Sequence, residues 1–110
     1  MSAVLPDVIS RYFQFNADRD IDTIIGLFAD DATVVDEQET RHGAHGIRAW
    51  LTGAAWKYTY TTEVTETEAR GPGRYRVTGR LTGNFPGGTA DLKWDFTIAD
   101  GYITRLVIAP

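Results

Sequence analysis

Asp36 is the residue in this sequence best placed to do chemistry. It closes the run Thr33-Val34-Val35-Asp36, three residues that favour extended backbone followed by a carboxylate. A carboxyl group that leaves a strand beside apolar neighbours loses solvation, which raises its pKa and suits it to act as a base near neutrality. The competing reading is a carboxylate that caps a turn or pairs with Arg41 or Arg48. His42 and His45 lie three apart, downstream of Asp36, Glu37 and Glu39. Those residue types can ligate a metal, or one histidine can serve as an acid-base partner at a cavity mouth. Their stretch is polar and glycine-rich, however, which favours solvated loop residues, so no metal is expected. With no cysteine in the chain, thiolate and disulfide chemistry are excluded. Aromatic residues Phe13, Phe28, Trp50, Trp56, Trp94 and Phe96 can wall a pocket for a flat apolar ligand, although aromatics at regular spacing are usually core.

These groups need elements to hold them. Residues 6–17 place Val8, Ile9, Tyr12, Phe13 and Asn16 at helical spacing, and the fixed φ of Pro6 suits it to the first helical position. The segment DIDTIIGLFADDAT carries Ile21, Ile24, Ile25, Leu27 and Phe28 on a wide apolar stripe and predicts a second helix ending near residues 29–31. After the TVVD strand a polar loop is expected. In HGAHGIRAWLTGAAWKY, the residues Ile47, Trp50, Leu51 and Ala54 recur every three or four positions and predict a third helix, with Gly53 its weakest position.

From Tyr58 onward the period changes to two. TYTTEVTETEA, RYRVTGRLTGNF, TADLKWDFTIA and YITRLVIA read as four strands joined by RGPG, PGG and Asp100-Gly101 turns. The alternation sends Tyr75, Val77, Leu81, Phe85, Leu92, Trp94, Phe96 and Ile98 to one face. Arg74, Arg76, Arg80, Lys93 and Asp95 go to the other, where cross-strand ion pairs are expected. Gly79 and Gly83 interrupt the apolar face, as glycines do where a sheet bends. An α+β fold follows, a curled antiparallel sheet covered by three N-terminal helices.

The chain has 110 residues and a formal charge of -4. That length suits a single domain over residues 1–110, with a core large enough to be hollowed for a small ligand. The acidic balance argues against nucleic acid or an anionic membrane as partner. Only five residues precede Pro6 and none is basic, so no signal peptide is expected, and a cytoplasmic location is the simplest reading.

RYFQFNADRDIDTIIGLFADDATVVD, RHGAHGIRAW and FTIADGYITRLVIAP, in that order, resemble the SnoaL-like group of the nuclear transport factor 2-like superfamily across essentially the whole chain. The resemblance implies a cone-shaped α+β barrel, cystatin-like in plan, and a homodimer. Within the superfamily the N-terminal half is most similar to ketosteroid isomerases. Tyr12 stands at their oxyanion-binding tyrosine and Asp36 at their proton-moving aspartate, separated by 36 - 12 = 24 residues with no gap. Tyr12 can equally be a core aromatic whose hydroxyl meets a backbone carbonyl. The C-terminal half departs from the isomerases: Trp94 takes the inward position of their second, protonated aspartate, while Asp95 faces the opposite way.

The function so implied is a cofactor-independent acid-base enzyme, an isomerase, cyclase or lyase moving a proton at carbon next to a carbonyl, as in ketosteroid isomerases or SnoaL-like polyketide cyclases. Its ligand is expected to be a small apolar or carbonyl-containing molecule, and its dimer contact the outer sheet face. The alternative is a non-catalytic ligand-binding or dimeric scaffold domain. The environment of Asp36 separates the two: an open pocket with a donor opposite favours the enzyme, and an arginine sealing the carboxyl favours the scaffold.

Overall fold

The computed structural model describes residues 5–53 and 57–110. Helix α1 spans Asp7–Asp18 and buries Val8, Ile9 and Tyr12, the inner stripe that the spacing predicts. Pro6 precedes the helix as its N-cap instead of occupying the first turn, and its carbonyl accepts from the Ile9 N–H. Helix α2 is short, Ile21–Gly26. Asp20 caps it, accepting from the Thr23 amide at 3.3 Å and from the Thr23 hydroxyl at 2.8 Å.

The second helix does not continue to residues 29–31. Strand β1 starts at Phe28 and runs Phe28–Asp36, because the backbone there is claimed by a distant partner. Phe28 pairs with Ile103, and the Leu27 carbonyl accepts from the Ile103 N–H at 2.9 Å. An apolar run of this length suits either period, and tertiary pairing decided it. The polar loop after Asp36 also contains a strand, β2, Glu39–His42, which turns back on β1 through Glu37 and Gln38. Both turn residues have positive φ, 53° and 65°, the handedness a two-residue hairpin requires, but neither is the Asn or Gly that usually signals it.

Helix α3, Gly43–Thr52, stops at Gly53 and buries Ile47, Trp50 and Leu51. The expected continuation toward Tyr58 includes Ala54 and Trp56, which lie outside the described residues. Four strands follow: β3 Tyr60–Gly71, β4 Arg74–Gly83, β5 Thr89–Ala99 and β6 Tyr102–Ala109.

The sheet order is β2-β1-β6-β5-β4-β3. Every neighbouring pair is antiparallel except β1 with β6, which is parallel, so the sheet is mixed and not wholly antiparallel as expected. Periodicity assigns faces but carries no strand direction. The three helices cover the apolar face and the sheet curls around them into a cone. In β3 an extra residue at Thr65 makes a bulge opposite Thr78 and Gly79. A Cβ at Gly79 would stand 2.7 Å from the Glu63 carbonyl oxygen, so the close approach of β3 needs glycine there. On the outer face Arg76 donates twice to Asp95, at 2.7 and 3.1 Å, and Arg80 twice to Asp91, at 2.8 and 3.4 Å. Among the described residues no helix is long and apolar enough to cross a membrane.

Candidate active site

The open side of the cone holds a cavity of about 590 Å³. Tyr12 and Asn16 reach it from α1, Asp36 from the end of β1, Trp50 from α3, and Tyr60 and Thr62 from the edge strand β3. Leu81, Leu92, Trp94 and Ile108 form the apolar wall on β4, β5 and β6. The pleat explains this second set: Leu81, Leu92 and Trp94 are inward-facing positions of strands whose outward positions carry the Arg–Asp pairs.

Tyr12 is fixed by its ring, and among the described residues nothing engages its hydroxyl. Its ring meets Phe13, Phe96 and Phe28 edge-on, with centroids 5.2, 5.5 and 6.2 Å away. Only 2% of the residue is exposed, yet its hydroxyl makes no hydrogen bond to a described residue. No buried side-chain polar atom among the described residues lacks a partner, so that hydroxyl is not sealed in the core; it opens on the cavity that Tyr12 lines. Burial pushes its pKa well above the usual phenol value, and the Tyr60 phenol, once ionised, and the Asp36 carboxylate push the same way. Tyr12 therefore stays a neutral O–H donor at any physiological pH.

Asp36 sits half-buried at the last position of β1, between its partners Glu39 and Ile108. Neither arginine weighed against it reaches it. Arg41 turns to Glu39 at 2.8 Å and Arg48 to Asp22 at 2.7 Å. Among the described residues the Asp36 carboxylate instead accepts one hydrogen bond, from the Trp50 indole N–H at 2.9 Å. Among the described residues no lysine, arginine or histidine lines the cavity.

Of the residues singled out in the sequence, Tyr12, Asp36, Trp50 and Trp94 share this cavity, whereas Phe13, Phe28 and Phe96 do not line it. Those three pack behind Tyr12 and Trp94, with Phe13 edge-on to Trp94 at 5.2 Å. They hold the wall without forming it. Trp56 lies outside the described residues. His42 contacts the Thr33 hydroxyl at 3.2 Å, His45 is exposed on α3, and neither lines the cavity.

Asn16 and Tyr60 are site residues that the sequence reading passed over. Their side chains are hydrogen-bonded to each other on the cavity wall. Burial raises the Tyr60 pKa; the Asn16 hydrogen bond and the Arg19 charge oppose that, and Asp36 adds to it. Two signals were present: Asn16 is one helical turn beyond Tyr12, and Tyr58, Tyr60 and Thr62 recur at period two.

A curved mixed sheet wrapped on three helices, with a carboxylate and a phenol in the mouth, defines the cone-shaped α+β class to which ketosteroid isomerases belong. Among solved structures, a protein of Sinorhizobium meliloti provisionally assigned as a polyketide cyclase matches with 35% identity over 96% of this chain and 95% of its own, at a TM-score of 0.89. SalBIII, an epoxide hydrolase/cyclase-like enzyme of pyran ring formation in the polyether salinomycin, matches in fold with 19% identity, over 93% of this chain and 86% of its own, at a TM-score of 0.80. A Catenulispora acidiphila protein of ketosteroid isomerase-like fold, solved with trimethylamine, has 16% identity over 97% of this chain and 87% of its own, at a TM-score of 0.83. No family profile and no curated protein matches the sequence. The chain belongs to the SnoaL-like group of the nuclear transport factor 2-like superfamily.

Proposed function

We propose that this protein is a cofactor-independent acid-base enzyme that moves a proton at a carbon next to a carbonyl. The observation that carries the reading is the environment of Asp36: a carboxylate on the wall of a cavity, without an arginine on it, sharing that cavity with an unengaged phenol donor. In the reaction, Asp36 takes the proton from carbon while the carbonyl oxygen gains charge. The Tyr12 hydroxyl donates a hydrogen bond to that oxygen as the enolate forms. Asp36 then returns the proton to a second carbon, or the enolate carbon attacks a second carbonyl carbon in the same molecule, the C=O π bond opens to an alkoxide as the ring closes, and that oxygen takes the proton back from Asp36. Isomerisation and aldol-type cyclisation share the first step, and the likeness to the provisionally assigned polyketide cyclase supports the ring-closing outcome.

The test needs no knowledge of the natural substrate. 5-Nitrobenzisoxazole opens on loss of one proton from carbon: the C–H bond gives its proton to the base, the N–O bond breaks, and a coloured cyanophenolate leaves. It asks for a base and an oxyanion donor and nothing else. A positioned base contributes about 10² to 10⁴ in rate, so Asp36→Asn should lose most of the turnover and Tyr12→Phe a smaller part. Full activity in Asp36→Asn would refute the enzyme reading in favour of a ligand-binding domain.

A further inference from the structure

We infer that Trp50 is a positioning residue for the Asp36 base, an inference that rests on the proposed function and deepens it. Among the described residues the cavity wall holds no Lys, Arg or His, and no such residue forms a salt bridge with the Asp36 carboxylate. Its one hydrogen bond among the described residues comes from a neutral donor, the indole N–H at 2.9 Å. The donor is rigid. Trp50 lies on the buried stripe of α3 between Ile47 and Leu51, and only 2% of it is exposed.

Three consequences follow from chemistry. Engaging one carboxylate oxygen stops the group from rotating about its terminal bond and leaves the other oxygen as the acceptor for a carbon-bound proton. A neutral donor does this without placing a positive charge beside the carboxylate. The ring of the same tryptophan lines the cavity, so the group that aims the base also limits where the substrate carbon can sit. Since Asp36 ends β1 and Trp50 sits on α3, the base is aimed by one element while being carried by another.

A double-mutant cycle on 5-nitrobenzisoxazole tests this. Trp50→Phe keeps the ring and removes the donor. It should lower kcat by about ten- to a hundredfold, the loss typical when a supporting hydrogen bond to a functional group is removed, with KM changed less than about twofold. In the Asp36→Asn background the same substitution should do nothing further, because there is no base left to aim. A purely structural tryptophan would instead raise KM and add its effect to that of Asp36→Asn; that result overturns the inference. If Asp36→Asn lowers turnover while Trp50→Phe is silent, the inference fails and the proposed function stands; if Asp36→Asn is itself silent, both fail. A readout independent of activity, and of whether Trp50→Phe folds, is the indole ¹H–¹⁵N resonance of Trp50 in Asp36→Ala. It should move upfield on losing its acceptor, and an unmoved resonance also overturns the inference.

Discussion

Replacing Gly79 by alanine sets two ordinary effects against each other, and the geometry decides which wins. In the unfolded chain the new methyl removes backbone freedom, an effect that by itself stabilises a protein by about 0.4 to 1 kcal/mol. In the folded chain it would stand 2.7 Å from the Glu63 carbonyl oxygen and 3.1 Å from Cζ3 of Trp94. Ordinary contact begins at 3.4 Å, so β3 must retreat by 3.4 - 2.7 = 0.7 Å at a backbone atom, at the place where its bulge fixes the curl. Overpacking of this kind costs about 1 to 3 kcal/mol, which leaves Gly79→Ala destabilised on balance. Gly26→Ala is the matched control. It is the last residue of α2 and a Cβ there meets nothing within 4 Å, so only the stabilising effect operates. Urea unfolding followed by tryptophan fluorescence should show opposite shifts. With a slope of about 1 to 2 kcal/mol per molar, Gly79→Ala lowers the midpoint by roughly 1 M while Gly26→Ala raises it by a few tenths. If both variants moved the midpoint upward, the close approach of β3 at the bulge would not be a tight fit and the need for glycine at position 79 would be refuted.

Burial of Tyr12 makes a pH prediction whose sign is fixed. Its folded pKa is raised, so above about pH 10 the unfolded chain releases a proton that the folded chain keeps, and stability falls as pH rises through that range. Urea midpoints compared at pH 8 and pH 11 should fall less in Tyr12→Phe than in the wild type, and equal falls would contradict the burial of this phenol. The chain is expected to form a homodimer through the outer face of the sheet. Light scattering should return twice the 12.2 kDa chain mass, and a 12.2 kDa species persisting at high concentration would dispose of that expectation.

How much of this was legible in the sequence depended on whether the signal was local. The four C-terminal strands fell where the period-two runs and their Gly and Pro turns place them, and the Arg76–Asp95 and Arg80–Asp91 pairs follow directly from the alternation. Tyr12 and Asp36 were legible through their ungapped interval, and the structure brings both to one cavity. Phe28 was misread as helical because its apolar neighbours satisfy both periods, and only the pairing with Ile103, 75 residues away by 103 - 28, settles the choice. Strand β2 was hidden by its turn, where Glu37 and Gln38 adopt positive φ that their side chains do not advertise. The Trp50–Asp36 hydrogen bond joins a helix to a strand end 14 residues apart, and spacing alone could not distinguish it from a core tryptophan beside a solvated carboxylate.

The central place of β6 has a consequence for the order in which the molecule can form. The hairpins of β3, β4 and β5 close from neighbouring sequence, and so does the β1–β2 hairpin, but in the sheet these two groups touch only through β6. On the ribosome, therefore, no sheet hydrogen bond ties the strand of Asp36 to the wall of Leu81, Leu92 and Trp94 before β6 is in place. They become one site when residues 102–109 emerge and insert between them, a long-range closure of the kind that slows folding. Nascent chains stalled before Tyr102 should hold hairpins and helices with no ligand-binding cavity, and the appearance of binding would mark the arrival of a single strand.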